Sequence, residues 1–481
     1  MNIKKVRFRH KIHFIICVCL CLVSVGSSIL GTGREVFAKP DKWPSGPDPA
    51  SLRAESACLM DLKTGQVLYN KNMNRRQYPA SITKVMTSLL AVENCSLGEM
   101  VHFSSDAVYG IEPGSAHIAC EVDEELTVEQ CLYGMMLSSA NEVCLAIAEH
   151  VSGSKEAFAK RMNEKAKELG CKNTHFTNPN GLHESEHYTS AYDMCLIARG
   201  AWQYEDFRKV TGTKYYTMAK TNKKKEERYL LNNHQMLYGW KIPGYEYEYC
   251  VGGKTGFTDQ SLNTLVTYAK KGDIELVAVV MRDCSPLNSA AMNEYTDTKA
   301  MMEFGFSEFV WYDMSAQSSE GQAGLEDDIM FNRYCPVFSN EESPIYIGEG
   351  GGVLLPKNLD ISKVKKNIRY DVAEENTGQK TENARRIGTV EYTYGKRLVG
   401  STDIYYRKIE QAALETAKEV SQVKEKKLEK IVEQEANRPY WIIGVAAGVI
   451  VLLVASYIFI IKRRRESEFA YYRNRGKKSR R

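Results

Sequence analysis

Hydrophobic and polar positions change their spacing along the 481-residue chain in an order that predicts its elements. From Ala57, Ala-Cys-Leu-Met-Asp-Leu and Gln-Val-Leu-Tyr-Asn flank Lys63-Thr64-Gly65, the pattern of two strands joined by a glycine-containing turn. Tyr78-Pro79-Ala80-Ser81 then opens a helix whose apolar residues Val85, Met86, Leu89, Leu90 and Val92 recur at helical spacing, with Pro79 suiting its start. Up to about residue 202 the signals are mostly helical, with segments expected from Thr127 to Met136, Glu142 to Val151 and Phe158 to Leu169. Strand patterns return from Lys214: Tyr229-Leu-Leu, Gly252 to Gly256, Thr264 to Ala269, a Lys-Lys-Gly-Asp turn, and Glu275 to Met281. The order β, α, β predicts an α+β domain over residues 39–312, an antiparallel sheet completed by strands from both ends with a helical insert between them.

Beyond it, residues 313–406 carry short strand candidates, Pro344 to Gly348, Gly388 to Thr393 and Lys396 to Tyr406, and read as a small C-terminal β domain. Residues 407–438 follow as a charged helix with Ile409, Ala413, Val420, Leu428 and Ile431 roughly on one stripe. It is expected to be a stalk, about 45 Å tall at helical rise. Within residues 439–461, Trp441 to Ile461 is an uncharged apolar run long enough to cross a hydrocarbon core of about 30 Å. Lys462, Arg463, Arg464 and Arg465 come next, so the positive-inside rule puts the basic tail, 462–481, in the cytoplasm and everything before Trp441 outside. At the other end, Lys4, Lys5, Arg7, Arg9 and Lys11 precede an apolar run from Phe14 to Leu30 and small residues before Lys39. Residues 1–38 are therefore expected to be a signal peptide, cleaved after Ala38. The expected location is the cell membrane, single-pass, with the catalytic domain extracytoplasmic.

This topology changes how charge must be counted. The first 38 residues carry +5 and the last 20 carry +8, so the overall +4 leaves about −9 for the exported part. A nucleic-acid partner, whose binding rests on phosphate neutralisation, is excluded on that ground. The tail suits anionic inner-leaflet lipids instead. Cys17, Cys19 and Cys21 fall in the signal, and the ten remaining cysteines show no C-x-x-C spacing, so neither a zinc ribbon nor a redox motif is indicated. Disulfides and buried free thiols are equally open.

Three short motifs carry chemistry, in fixed order: Ser81-Ile82-Thr83-Lys84, Ser139-Ala140-Asn141 and Lys254-Thr255-Gly256. S-x-x-K alone is a weak pattern, but Ser81 at a helix start places Lys84 one turn on, within reach of its hydroxyl. A serine hydroxyl needs a base to become a nucleophile, and a lysine serves only when largely neutral. Burial and a nearby second cation both lower a lysine's pKa, and Lys254 is expected to supply that cation. The helix start aims the Ser81 N–H toward developing negative charge, half of an oxyanion hole. Lys63-Thr64-Gly65 repeats the third motif, yet it precedes the nucleophile and sits in a turn between strands, so it is read as structural.

These motifs, together with Tyr78-Pro-Ala-Ser-Ile-Thr-Lys-Val-Met-Thr, Met136-Leu-Ser-Ser-Ala-Asn and Asn178-Pro-Asn-Gly-Leu-His, resemble those of the low-molecular-mass D-alanyl-D-alanine carboxypeptidases, penicillin-binding serine peptidases of the S11 family. The likeness covers residues 50 to 285 strongly, and continues weakly through Val353-Leu-Leu-Pro and Gly388-Thr-Val-Glu-Tyr. It implies a penicillin-binding transpeptidase or β-lactamase-like fold. The activity it implies is a serine hydrolase that cleaves the terminal D-Ala from peptidoglycan pentapeptide stems through an acyl-enzyme, in cell-wall biosynthesis and remodelling, with β-lactams as covalent inhibitors. By the same resemblance Ser81 is acylated, Lys84 takes its proton, and Ser139 relays that proton to the departing D-alanine. Asn141 holds the substrate amide, Lys254 and Thr255 of Lys254-Thr255-Gly256 bind the terminal carboxylate, and the Phe257 N–H completes the oxyanion hole. No cofactor or metal is implied.

The chain departs from the family after the third motif, where Gln260-Ser261-Leu262-Asn263 replaces an Ala-Gly pair, a change to the floor of the site rather than to the nucleophile. His183-Glu184-Ser185-Glu186-His187 superficially resembles a helical zinc motif, but Pro179 and Gly181 argue for a loop. Two other functions stay open: a β-lactam-hydrolysing enzyme of the same fold, which needs an added carboxylate to activate water, and a non-catalytic tether that only binds stem peptides.

Overall fold

The computed structural model describes residues 43–284, 292–314, 345–348, 351–370 and 384–407. The expected signal peptide, membrane span and basic tail lie outside the described residues, as does the expected stalk beyond Arg407, which instead ends the strand Arg397–Arg407. No helix among the described residues is long and apolar enough to cross a membrane.

Chain order is strand-rich at both ends and helical between. The hairpin β1 (Ala54–Asp61) and β2 (Val67–Lys71) leads to a 3-10 turn (Ala80–Thr83) and helix α1 (Lys84–Asn94). Then come β3 (Met100–His102), α2 (Ser105–Tyr109), β4 (Glu125–Thr127), α3 (Val128–Leu137), α4 (Asn141–Ser152), α5 (Lys155–Glu168), α6 (Ala191–Trp202) and α7 (Glu205–Thr211). The hairpin β5 (Tyr215–Met218) and β6 (Arg228–Leu231) precedes β7 (Cys250–Thr258), β8 (Leu262–Lys271), β9 (Ile274–Asp283) and α8 (Asn293–Glu308). A second sheet takes β10 (Phe309–Asp313), β11 (Ile345–Ile347), β12 (Gly352–Pro356), β13 (Val364–Tyr370), β14 (Ala384–Tyr394) and β15 (Arg397–Arg407).

The first sheet is antiparallel with order β2-β1-β9-β8-β7, so strands from both ends of the domain do complete it. Its strands are apolar on both faces because both are covered. Along β9, Val277, Val279 and Met281 join the core of the helical insert, whereas Leu276, Ala278 and Val280 join the core that includes Met301, Met302 and Phe306 of α8. Helix boundaries follow local capping: Thr127 caps α3 in a reciprocal capping box with Gln130, and Ser154 and Ser190 cap α5 and α6.

The second sheet runs β10-β12-β15-β14-β13, with β11 also on β15. Sequence periodicity finds β11, β14 and β15 but not β10, β12 or β13. The residues of β12, Gly-Val-Leu-Leu-Pro, are all buried and so lack the alternation that marks a half-exposed strand. Described residues within 43–314, 346–370 and 386–405 form one compact unit, while Ile345, Ala384, Arg385, Tyr406 and Arg407 belong to a second.

The early Lys-Thr-Gly is a turn, as expected. Asp61 Oδ2 accepts from the Thr64 N–H and hydroxyl, both at 2.7 Å, and Gly65 sits at φ +73. Arg199 donates to the carbonyls of Leu62 and Lys63, and burial pushes the Asp61 carboxyl up to about 6 against the pull of the Thr64 hydrogen bonds. The nine described cysteines are free thiols, most of them buried in the core; Cys335 lies outside the described residues.

Candidate active site

Ser81 sits in the 3-10 turn rather than on the first turn of an α-helix, since α1 begins only at Lys84. The tighter winding still puts the two side chains together, because residues three apart nearly eclipse in a 3-10 turn. The entry to that turn is strained: Ala80 adopts φ +51, a left-handed conformation costly for an alanine. Its neighbours hold it there. Thr264 of β8 donates to Pro79 O at 2.8 Å, and Gln77 exchanges backbone hydrogen bonds with Thr189. Gly181, at φ +86, lies so close that a Cβ on it would meet Ala80 O at 1.9 Å.

Lys84 is fully buried, and its amine has three partners: Ser81 Oγ at 2.9 Å, Asn141 Oδ1 at 2.7 Å and Asn180 O at 2.7 Å. Two of these, an amide oxygen and a peptide carbonyl, can only accept; the third, a hydroxyl, can also donate. A neutral amine has two N–H groups and one lone pair. The N–H groups therefore go to Asn141 and Asn180, and the lone pair is left for the Ser81 hydroxyl. Burial lowers the Lys84 pKa, favouring that neutral form, and the charges of Cys144 and Glu142 pull the other way.

Strand β7 is the edge strand of the first sheet and closes the site from the other side. Lys254 and Gly256 lie two apart and so share a face of the strand. A Cβ at Gly256 would come within 2.9 Å of Ser81 N and 3.1 Å of Ile82 N, so only glycine lets β7 approach the nucleophile's backbone N–H so closely. Lys254 is buried, and its amine donates to Thr255 O at 2.8 Å. Burial, then the Lys84 charge, hold its pKa well down. This corrects the expectation that Lys254 is what lowers Lys84: burial is the leading cause at both amines, and their mutual repulsion falls on Lys254.

Asn141 opens α4, and Ser139 precedes it at φ +62, nearly buried. The structure thus joins Ser81, Lys84 and Asn141 by hydrogen bonds and packs Gly256 on the nucleophile turn. Among the described residues, the Ser139 hydroxyl makes no hydrogen bond to Ser81, Lys84 or Lys254, and Thr255, half-buried, makes none with its side chain. Phe257 projects an exposed ring beside the turn, and its residue pairs with Asn263 across β8.

Sequence reasoning assigned no role to the 178–187 loop, which supplies the carbonyl that orients Lys84. Asn178 Oδ1 accepts from the Gly181 N–H at 2.8 Å and closes the turn. His187 accepts the Thr177 N–H at Nδ1, so its Nε2 carries the proton and donates to Thr83 Oγ1 at 2.9 Å. Burial holds the His187 pKa down to about 3, so the ring is neutral. With both nitrogens engaged inside the fold, His187 acts as a brace. Pro179 and Gly181 marked this stretch as a loop in sequence; the carbonyl's role leaves no mark there. Gly181→Ala is expected to cost about 1–3 kcal/mol from backbone conformation alone, more once Ala80 is displaced, and to slow penicillin acylation about 10²-fold by shifting the turn. Thermal unfolding and acylation kinetics check this; a wild-type rate would contradict it.

A sequence profile described as D-alanyl-D-alanine carboxypeptidase, of the S11 peptidases, matches residues 44–285, half of the chain. The chain belongs to this family. It is 34% identical over 378 residues to the D-alanyl-D-alanine carboxypeptidase DacF of Bacillus subtilis (strain 168), covering 77% of this chain and 89% of that one. It is 28% identical over 375 residues to the D-alanyl-D-alanine carboxypeptidase DacA of Haemophilus influenzae, covering 75% and 86%. Among solved structures, penicillin binding protein 5 from Haemophilus influenzae superposes with a TM-score of 0.54 at 25% identity, over 75% of this chain and 98% of that one. The α+β penicillin-binding fold expected from the motifs is therefore the fold found.

Proposed function

We propose that this family member is a serine D,D-carboxypeptidase that removes the terminal D-alanine from peptidoglycan pentapeptide stems through an acyl-enzyme on Ser81. The observation that carries the reading is the set of three partners around the Lys84 amine, which leaves its lone pair for the Ser81 hydroxyl. Lys84 takes the hydroxyl proton as Ser81 attacks the carbonyl of the penultimate D-alanine. The developing oxyanion lies between the Ser81 N–H and the Phe257 N–H on edge strand β7. The substrate's terminal carboxylate binds at Lys254 and Thr255. Its charge favours the ammonium form of Lys254, while burial favours the neutral form of Lys84. Asn141 holds the substrate amide, Ser139 passes the proton to the departing D-alanine, and water releases the shortened peptide.

Membrane tethering completes the reading. The apolar run from Trp441 to Ile461 and the basic cluster after it support a single C-terminal span, and the N-terminal signal supports export, so that the domain faces the cell wall.

The test is to incubate the purified protein with a peptide ending in D-Ala-D-Ala and, separately, with a labelled penicillin whose adduct is mapped by peptide mass. Release of free D-alanine and a slowly turning-over adduct on the Ser81 peptide are expected. Rapid penicillin turnover with no D-alanine release would make the chain a β-lactam-hydrolysing enzyme; neither release nor adduct would make it a binder.

A further inference from the structure

Away from the nucleophile turn, three side chains from three elements converge on one spot. Cys95 follows the last residue of α1, Glu99 stands immediately before β3, and His150 lies in the last turn of α4. The Cys95 sulfur, a Glu99 carboxylate oxygen and a His150 ring nitrogen all lie within 4.8 Å of one another. His150 Nε2 and Glu99 Oε2 are 3.2 Å apart, and Cys95 is a half-buried free thiol beside them.

The surroundings fix this convergence. The Ser96 N–H donates to Glu99 Oε1 at 2.6 Å and the Glu99 N–H to Ser96 O at 3.0 Å, so the turn holds one carboxylate oxygen and leaves the other for His150. The Val128 N–H on Glu99 O at 2.9 Å ties that turn to the start of α3. Helices α1 and α4 run side by side in one direction. At their starts Lys84 is hydrogen-bonded to Asn141 at 2.7 Å, and at their far ends Cys95 meets His150.

A thiolate, an imidazole and a carboxylate together suit a borderline-soft divalent cation rather than Ca²⁺ or Mg²⁺. In a tetrahedral Zn²⁺ site, bonds of about 2.0–2.3 Å set neighbouring ligand atoms about 3.3–3.6 Å apart. The Glu99–His150 pair is already at that spacing, and the sulfur must close by roughly 1 Å at most. Each group can reach its binding form. The Ser96 N–H, then His150, hold the Glu99 carboxyl below its ordinary value, so it is ionised. The imidazole binds through Nε2 once its proton sits on Nδ1. Burial, then Glu99, hold the Cys95 thiol up, and Arg161 pulls it down; a divalent cation takes the place of the thiol proton, which leaves to solvent.

We propose that Cys95, Glu99 and His150 bind one Zn²⁺, with water in the fourth position, and that the ion ties together the far ends of the two helices whose starts carry Lys84 and Asn141. The site stands apart from the catalytic reading of Ser81. A surface Glu–His pair alone would need no cysteine, so Cys95 separates the two cases.

The experiment uses the full-length protein in detergent, reduced, stripped of metal with a chelator that is then removed, and titrated with Co²⁺ as a coloured substitute for Zn²⁺. A thiolate-to-cobalt absorption band that saturates at one ion per chain and is bleached by Zn²⁺ is expected in the wild type. The same band is expected in Cys284→Ser, which removes an exposed thiol outside the cluster. It should vanish in Cys95→Ser. In His150→Ala the affinity should fall about 100-fold or more, since losing even an outer partner of a metal ligand costs about 10–100-fold. Zn²⁺ should raise the melting temperature of the wild type and not that of Cys95→Ser. A wild type without the band, or a band that survives Cys95→Ser, overturns the proposal and leaves a Glu–His pair beside a thiol. Should Cys95→Ser fail to fold, the wild type decides by alkylation read from peptide mass. Zn²⁺ is expected to slow modification of Cys95 and leave Cys284 unchanged, and equal rates at Cys95 with and without Zn²⁺ overturn the proposal.

Discussion

Ser81→Ala is expected to abolish covalent labelling by penicillin and to lower D-alanine release by about 10⁴- to 10⁶-fold. The side chain is half-buried, and among the described residues its hydroxyl is hydrogen-bonded to Lys84 alone. Removing it costs the fold little, within about 1 kcal/mol. The turn itself is held by groups the substitution leaves in place: Thr264 on Pro79 O, Gly181 beneath Ala80 and β7 against the Ser81 N–H. Loss of label at an unchanged melting temperature is therefore the expected pair of results. Label that persists on the variant would mean that another residue is the nucleophile.

Lys84→Met is expected to slow acylation about 10³-fold, the usual contribution of a positioned general base. Methionine fills similar volume without an amine. It leaves Asn141 Oδ1 and Asn180 O without their shared donor, at a cost of about 1–3 kcal/mol in stability. The sign of the pH dependence separates this from mere destabilisation. A lysine whose pKa is lowered in the folded protein is charged below that value and neutral above it, so wild-type acylation rises as pH rises through it. In Lys84→Met that rise should be gone, leaving a slow and flat profile.

How much of this was legible in sequence depended on whether a side chain or a backbone group does the work. Ser81, Lys84, Asn141, Lys254 and Gly256 announce themselves by type, spacing and order, and the sheet joining β1 and β2 to β7, β8 and β9 follows from the switch between period-two and helical patterning. The 3-10 turn at Ser81 was not legible, because its cause is tertiary: Gly181 and Thr264 impose the backbone at Ala80 from about 100 and 184 residues away in sequence. The Asn180 carbonyl was invisible for a similar reason, since any residue carries one. In the second sheet, β12 was marked by family resemblance at Val353-Leu-Leu-Pro but not by periodicity, because complete burial erases alternation.

The account's central claim is that the Lys84 amine is neutral when it faces Ser81. The most direct measurement is the pH dependence of wild-type Ser81 acylation by penicillin, followed from about pH 5 to about pH 10 beside Lys84→Met. The account predicts a rate that climbs with pH through a midpoint below the roughly 10.4 of an ordinary lysine, and a climb absent from the variant. A wild-type midpoint at the ordinary lysine value, or the same climb in Lys84→Met, would contradict it.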